Sequence, residues 1–231
     1  MILSQPRGFK SYHFSIILNR AKSFDKTGAL GYTDCGIFLS KRRLVLIAYT
    51  PNREILEYNC AFVADKKYVP FLAQKSPRRK LAILTCMDTR LTVLLPKALG
   101  LRNGDAKIIK VAGASVTSLT DQAVKSLLVA VYQLGAAEIM VVGHTDCGAL
   151  SLSRESLYDA MRKRGVPEDA LDFMDHHTDT RAWFSGFSGV EEAVADSVRL
   201  LRRHPLITAE IAVGGYVIDS NTGALTYLEI T

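Results

Sequence analysis

The stretch LAILTCMDTR, residues 81–90, decides the fold of this chain. Its first four residues form a continuous apolar run of strand length, and such runs are typical of a strand that is buried on both faces. The run ends at Thr85-Cys86, and Asp88 and Arg90 follow directly. In open parallel sheets, functional sites form at the carboxyl ends of the strands. This stretch therefore predicts a buried strand that carries site residues at its end.

Two later stretches have the same arrangement. Residues 138–142 form an apolar run, EIMVV, and Gly143, His144 and Cys147 follow it. Residues 107–111 predict a further strand, which leads into Ala112-Gly113-Ala114. Because the carboxyl ends of parallel strands meet at one edge of a sheet, we expect these three segments to converge on one crevice.

Helical patterns alternate with these strands. Predicted helices span residues 54–66, 91–99, 121–134 and 153–164, and another begins at a capping box, Ser188-Gly189-Val190-Glu191. Two more strands are predicted at residues 211–218 and 224–230. The alternation of strand and helix indicates an α/β fold, with a mainly parallel central sheet flanked by helices.

Length and charge set limits on the function. The 231 residues suffice for one main domain, and no apolar run approaches the roughly 18 residues of a membrane span. The net charge of +6 belongs to residues 1–50, which hold eight Lys or Arg and two Asp, because residues 51–231 hold 21 basic and 21 acidic residues. A body without net charge gives little support to nucleic-acid binding or to a membrane partner.

The basic N-terminal extension, residues 1–50, is predicted to be separate from the main domain, residues 51–231. Three interpretations of the extension stay open: a poorly ordered segment, an organelle-targeting peptide, and a docking segment in which residues 37–49 pair with a sheet edge.

Cys86, His144 and Cys147 are candidate metal ligands. Two thiolates and one imidazole form a set that suits zinc, and three protein ligands leave one position for water, as in catalytic zinc sites. The gap of 58 residues between Cys86 and His144 is too long for a zinc finger, but it fits two strand–helix crossovers. The alternative is two buried thiols and a core histidine.

The other two cysteines, Cys35 and Cys60, are expected to be bystander thiols that pack as small apolar residues. No close CxxC pair is present, and the cysteine density is far below that of a disulfide scaffold. A reducing cytoplasm is the simplest compartment, because thiolate ligands must stay reduced.

Asp88 and Arg90 complete the candidate site. If the stretch after Cys86 is extended, alternate residues point the same way and Cys86, Asp88 and Arg90 share a side. Asp88 then has two possible roles: it accepts a hydrogen bond from the attacking hydroxide, with Arg90 holding it ionised, or it binds the metal as a fourth ligand in a closed state. The alternative is a surface ion pair of negligible value.

The pattern Cys-x-Asp-x-Arg, followed by His-x-x-Cys-Gly, resembles the β-class carbonic anhydrases over residues 52–231, and in particular their compact bacterial and archaeal members. The resemblance implies reversible, zinc (Zn²⁺)-dependent hydration of carbon dioxide to bicarbonate. It implies ligands at Cys86, His144 and Cys147, an orienting pair at Asp88 and Arg90, and a substrate-side glycine at Gly113. It also implies four parallel strands with an antiparallel edge strand, and a homodimer or higher homo-oligomer.

Rival functions stay open on the same residues. They are hydrolysis of carbonyl sulfide or carbon disulfide, non-catalytic binding of zinc or an anion, and a metal-free nucleophilic role for Cys86 with His144. The segment 166–189 departs most from the family. Within it, His176 and His177 are expected to be exposed residues at a helix end, with proton shuttling as the alternative. Trp183 is expected to serve packing.

Overall fold

The structure, a computed structural model, describes residues 52–231, so the expectations for residues 1–50 lie outside its described part. The chain divides into two compact units, residues 1–65 and residues 66–231. Of the first unit, the structure describes helix α1 (Arg53–Ala64). Compared with the predicted helix, residues 54–66, it begins one residue earlier and ends two residues earlier.

The second unit is built on one sheet. Its strands are β1 (Leu81–Cys86), β2 (Ala106–Val111), β3 (Glu138–His144), β4 (Ala212–Ile218) and β5 (Leu225–Leu228). Their order is β2-β1-β3-β4-β5, in which β1 to β4 are parallel and β5 pairs with β4 in the antiparallel sense. The predicted fold, four parallel strands with an antiparallel edge strand, is thus confirmed.

Helices cover both faces of this sheet. They are α2 (Leu91–Ala98), α3 (Gln122–Tyr132) and α7 (Val190–Arg202), whereas α4 (Arg154–Lys163), α5 (Glu168–His177) and α6 (Thr180–Trp183) follow one another in the connection that leads to α7. On one face, Leu127 of α3 and Val198 of α7 are fully buried in a cluster with alternate residues of β1 and β3. On the other face, Leu91 and Leu95 of α2 pack with the residues of β1 and β3 that point to that side of the sheet. Full burial of each such side chain contributes roughly 1.5–3 kcal/mol.

The strand order places the candidate site. The chain passes from β1 to β2 on one side and then crosses β1 to reach β3 on its other side, so the crevice between β1 and β3 is a topological switch point. Thr85 pairs with Val142, and therefore Cys86 and His144 leave the sheet at the same edge. The Thr85 hydroxyl also donates to the Val142 carbonyl at 2.9 Å, which ties the two strand ends together.

Two sequence expectations need correction. The capping box at residues 188–191 does not form: Gly189 is the N-cap of α7, without a side-chain cap, and Glu191 and Glu192 in the first turn supply the favourable charge instead. The segment 166–189, for which only a helix end near His176 and His177 was predicted, contains α5, which ends at His177, and α6. In residues 52–231, no helix has the length and apolar character that crossing a bilayer requires.

Candidate metal centre

The three predicted ligands meet at one point. Cys86 ends β1, His144 ends β3, and Cys147 lies in the loop that follows β3. All three are buried, at 6%, 0% and 5% exposure, and their ligand atoms lie within 4.8 Å of one another. Among the described residues, they form the one cluster of three or more potential ligands that could hold a metal ion.

The ring of His144 is oriented for a metal. Its Nδ1 lies 2.8 Å from the carbonyl oxygen of Thr145, an acceptor, so Nδ1 carries the proton and the Nε2 lone pair is left for another partner. Nε2 is the only buried side-chain nitrogen or oxygen in the described part of the chain that has no hydrogen-bond partner. A buried polar atom of this kind costs free energy unless it is satisfied.

The two sulfurs have the spacing that one zinc ion requires. Two sulfurs at about 2.3 Å from a tetrahedral zinc lie about 3.8 Å apart. The Sγ atoms of Cys86 and Cys147 are 3.9 Å apart. Burial raises the pKa of the Cys147 thiol, and the adjacent Cys86 raises it further. Because a second buried thiolate beside the first needs a compensating cation, the donor set fits a divalent metal ion.

Asp88 reaches this site through a turn. An extended stretch from Cys86 to Arg90 was expected from the sequence. The chain instead turns into α2 after Asp88. Asp88 Oδ1 accepts the backbone N–H of Arg90 at 2.8 Å, and its Oδ2 lies 3.9 Å from His144 Nε2. The turn thus carries the Asp88 carboxylate to the edge of the metal centre.

Arg90 keeps this carboxylate ionised. Its Nε and one terminal nitrogen donate to Asp88, at 3.1 Å to Oδ1 and 2.8 Å to Oδ2. These bonds, helped by the charge of Arg90, lower the pKa of Asp88 to about 2 although burial opposes the shift. Asp88 therefore accepts hydrogen bonds, and does not donate them, throughout the neutral range.

Two residues that the sequence analysis missed support this arrangement. Asp146 binds the far side of the Arg90 guanidinium, with Oδ2 accepting at 3.0 Å and the main-chain oxygen at 2.9 Å. Lys110 of β2 donates to the main-chain oxygen of Asp88 at 3.1 Å and to Thr92 Oγ1 at 2.9 Å. A charge that directly precedes Cys147 was the available signal for Asp146, whereas the role of Lys110 depends on strand order.

A cavity of about 260 Å³ opens beside the site. It is lined by Cys86, Met87, Asp88, Ala112, Gly113, Cys147, Gly148, Ala149 and Leu152. Most of these groups are small or apolar, so the cavity suits an uncharged ligand. The predicted substrate-side residue, Gly113, therefore does line the cavity next to the ligands.

Gly113 is held by contacts that leave no room for a side chain. Its φ is +70°, a conformation that favours glycine. A Cβ at this position would lie 2.7 Å from the Phe187 ring and 3.2 Å from the Ala149 Cβ. The glycine therefore lets the β2 loop approach the loop after Cys147.

We predict that Gly113→Ala destabilises the protein more than Gly100→Ala. Gly100 also has a positive φ, of +62°, but a Cβ there meets nothing within 4 Å. Both changes carry the cost of the left-handed backbone, and only the first adds steric overlap, for which we expect about 1–3 kcal/mol more. Urea unfolding of both variants measures the difference. Equal losses of unfolding free energy would show that Phe187 moves away freely.

The other residues that were considered from the sequence do not belong to the ligand cluster. His176 and His177 are exposed at the end of α5, as expected, and each Nδ1 bonds a carbonyl of its own helix. Trp183 stacks on Phe184 with ring centroids 4.5 Å apart but is 61% exposed, so it packs only in part. Cys60 is disulfide-bonded, so its expected role as a bystander thiol is wrong, and Cys35 lies outside the described residues.

Comparison with known protein families places these observations in context. The sequence model described as carbonic anhydrase matches residues 81–225, a range that includes every residue of the candidate centre. YvdA of Bacillus subtilis, whose name gives carbonic anhydrase as an unproven assignment, is 46% identical over 172 residues, covering 74% of this chain and 87% of YvdA.

Two further relatives bear on fold and substrate. The crystal structure of β-carbonic anhydrase isoform I of Trichomonas vaginalis superimposes with a TM-score of 0.70 at 36% identity, over 77% of this chain and 97% of that one. A carbon disulfide hydrolase of Acidithiobacillus thiooxidans is 30% identical over 156 residues, which cover 64% of this chain and 76% of the hydrolase.

Proposed function

Because this chain belongs to the β-class carbonic anhydrase family, we propose that it catalyses the reversible hydration of carbon dioxide to bicarbonate and a proton. In this proposal Cys86, His144 and Cys147 hold a zinc ion. Asp88 and Arg90 orient the nucleophile, and Gly113 lies on the substrate side.

One observation carries the proposal: the fully buried His144 Nε2 has no hydrogen-bond partner and lies among two thiols and a carboxylate. A core histidine with bystander thiols would leave this atom unsatisfied at a cost that native proteins avoid. A zinc ion, when bound, satisfies it and lowers the pKa of a water molecule toward about 7.

In this proposal the residues around the ion have separate roles. The Asp88 carboxylate, ionised because its pKa is about 2, accepts a hydrogen bond from the attacking O–H group and so fixes the direction of its lone pair. In this structure Asp88 pairs with Arg90, and this pairing supports the orienting role over that of a fourth ligand. Arg90 makes no contact with substrate in this scheme; it holds Asp88.

The cavity walls support an uncharged substrate. Ala112, Ala149 and Leu152 offer no charge that would solvate an anion, so bicarbonate gains less from this side of the pocket than carbon dioxide does. Gly113 lines the cavity, and we propose that a main-chain N–H near it donates to the substrate oxygens as charge grows on them.

Hydrolysis of carbon disulfide is the second candidate function. The similarity to a carbon disulfide hydrolase favours it, since the same chemistry would attack a linear sulfur analogue. Turnover of carbon dioxide, carbonyl sulfide and carbon disulfide, measured on one zinc-loaded preparation, separates the two functions.

Zinc analysis combined with stopped-flow hydration tests the main proposal. We expect about one zinc per chain and a hydration rate that rises toward alkaline pH, because two anionic thiolates lower the net charge of the ion relative to three imidazoles. A zinc-replete protein that is inactive from pH 6 to 9 contradicts the catalytic proposal and favours a binding role. Activity that survives complete chelation favours a cysteine nucleophile.

We also propose a homodimer or larger homo-oligomer in a reducing, cytoplasm-like compartment. Ile108 on edge strand β2 and Leu225 and Tyr227 on edge strand β5 are exposed apolar side chains, which favour burial by another chain. The two thiolates favour a reducing compartment because they must stay reduced, whereas the disulfide bond of Cys60 is typical of an oxidising one, so the redox state of Cys60 in the purified protein tests this part of the proposal. Light scattering coupled to size-exclusion chromatography measures the oligomer.

A further inference from the structure

We propose that Asp146 is a positioning residue, which holds the guanidinium of Arg90 and through it the carboxylate of Asp88 over the metal centre. This inference rests on the proposed function for its catalytic consequence, although its geometric part stands without it. In this role Asp146 acts through Arg90.

The contacts of the guanidinium carry the first step. One edge of the planar group, Nε and one terminal nitrogen, binds Asp88. The other edge binds Asp146, at Oδ2 through the second terminal nitrogen and at the main-chain oxygen through the shared one. Because the donors of arginine form a rigid fork, fixing one edge fixes the other. Asp146 therefore sets the plane in which Asp88 is held.

The backbone at residue 146 carries the second step. Its φ is +54°, and glycine, asparagine and aspartate are the residues that adopt this left-handed conformation most readily. Of these three, only aspartate brings a negative charge. The conformation alone would be met equally well by glycine, so the carboxylate, and not the turn, distinguishes Asp146.

Energy considerations indicate a geometric rather than a stabilising role. The Asp146 side chain is 84% exposed and that of Arg90 is 37% exposed, and ion pairs this accessible contribute little to folding. The same contact joins the loop that carries Asp88 to the loop that carries Cys147. Its consequence is thus expected in turnover, with the protein still folded and loaded with zinc.

Two substitutions in the full-length, zinc-loaded protein test this role. Asp146→Gly keeps the backbone conformation and removes the carboxylate, while Asp146→Asn keeps an oxygen acceptor. Lys80→Gly is the matched control, because Lys80 has a φ of +52° and lies at the opposite end of β1. We expect Asp146→Gly to lower kcat by about threefold to tenfold with KM nearly unchanged, Asp146→Asn to recover most of the loss, and Lys80→Gly to change neither.

Zinc content, the double variant and the position of Arg90 complete the test. We expect one zinc per chain in Asp146→Gly, no further loss of kcat when Asp146→Gly is added to Asp88→Asn, and a displaced Arg90 guanidinium in a crystal structure of Asp146→Gly. Loss of zinc, an undiminished effect in the Asp88→Asn background, or an Arg90 that stays in place would overturn the proposal. If the wild-type protein does not hydrate carbon dioxide, the proposed function fails, whereas the position of Arg90 still decides this inference.

Discussion

Replacing Cys147 by serine is expected to abolish zinc binding. A serine hydroxyl stays protonated at neutral pH, so the ion loses one of its two anionic ligands. We expect zinc affinity to fall by more than about 100-fold, which corresponds to at least about 2.7 kcal/mol. Hydration activity should fall with it. Zinc content of purified Cys147→Ser, measured by elemental analysis, gives the direct result.

Stability should change with the metal, because zinc binds the folded chain and not the unfolded one. At a free zinc concentration of about 1,000 times Kd, binding contributes about 4 kcal/mol, or about 8–16 °C in Tm for a domain of this size. We therefore expect a chelator to lower the Tm of the wild-type protein by this amount and to lower that of Cys147→Ser by no more than about a third as much.

Thr145→Ser is the matched control for this experiment. Thr145 lies in the same loop, and its hydroxyl accepts the backbone N–H of Ser220 at 3.0 Å, a contact that serine can keep. We expect this variant to retain zinc and its response to the chelator. If Cys147→Ser also retains one zinc per chain, Cys147 is not a ligand and the three-ligand centre is wrong.

The strands and the candidate ligands could be predicted from the sequence because the features that identify them are local. The apolar runs of β1 and β3 and the polar residues after each are contiguous, so strand type, strand ends and the three candidate ligands follow from periodicity and position. β5 is shorter than predicted, covering residues 225–228, because strand pairing and not apolar content decides where an edge strand ends.

The contacts that hold the site residues in place could not be predicted, because they join residues that are far apart in sequence and depend on the order of the strands in the sheet. Arg90 meets Asp146 across 56 residues and Lys110 meets Asp88 across 22. The Phe187 ring lies against Gly113 only because the chain returns from α6 to the pocket edge. Exposed or half-buried polar residues such as Asp146 and Lys110 follow no periodic pattern, and their partners become visible only in the folded structure.

Asp88→Asn is the substitution that decides between the two roles of Asp88. The amide has the shape of the carboxylate but no charge, and it offers an N–H where the nucleophile needs an acceptor. If Asp88 orients the nucleophile, we expect kcat to fall about 100-fold, a barrier increase of about 2.7 kcal/mol. Zinc content should be unchanged, because Cys86, His144 and Cys147 remain.

The opposite result identifies the other role. If Asp88 instead closes the site as a fourth ligand, its removal frees a coordination position, and kcat for hydration should stay the same or rise, most clearly at the acidic end of the pH profile. Asp196→Asn is the control for the loss of an arginine-paired carboxylate, since Asp196 pairs with Arg199 at 2.9 Å on the exposed side of α7. Because one role predicts a fall in kcat of about 100-fold and the other predicts no fall, stopped-flow hydration by zinc-loaded Asp88→Asn separates them without further structural work.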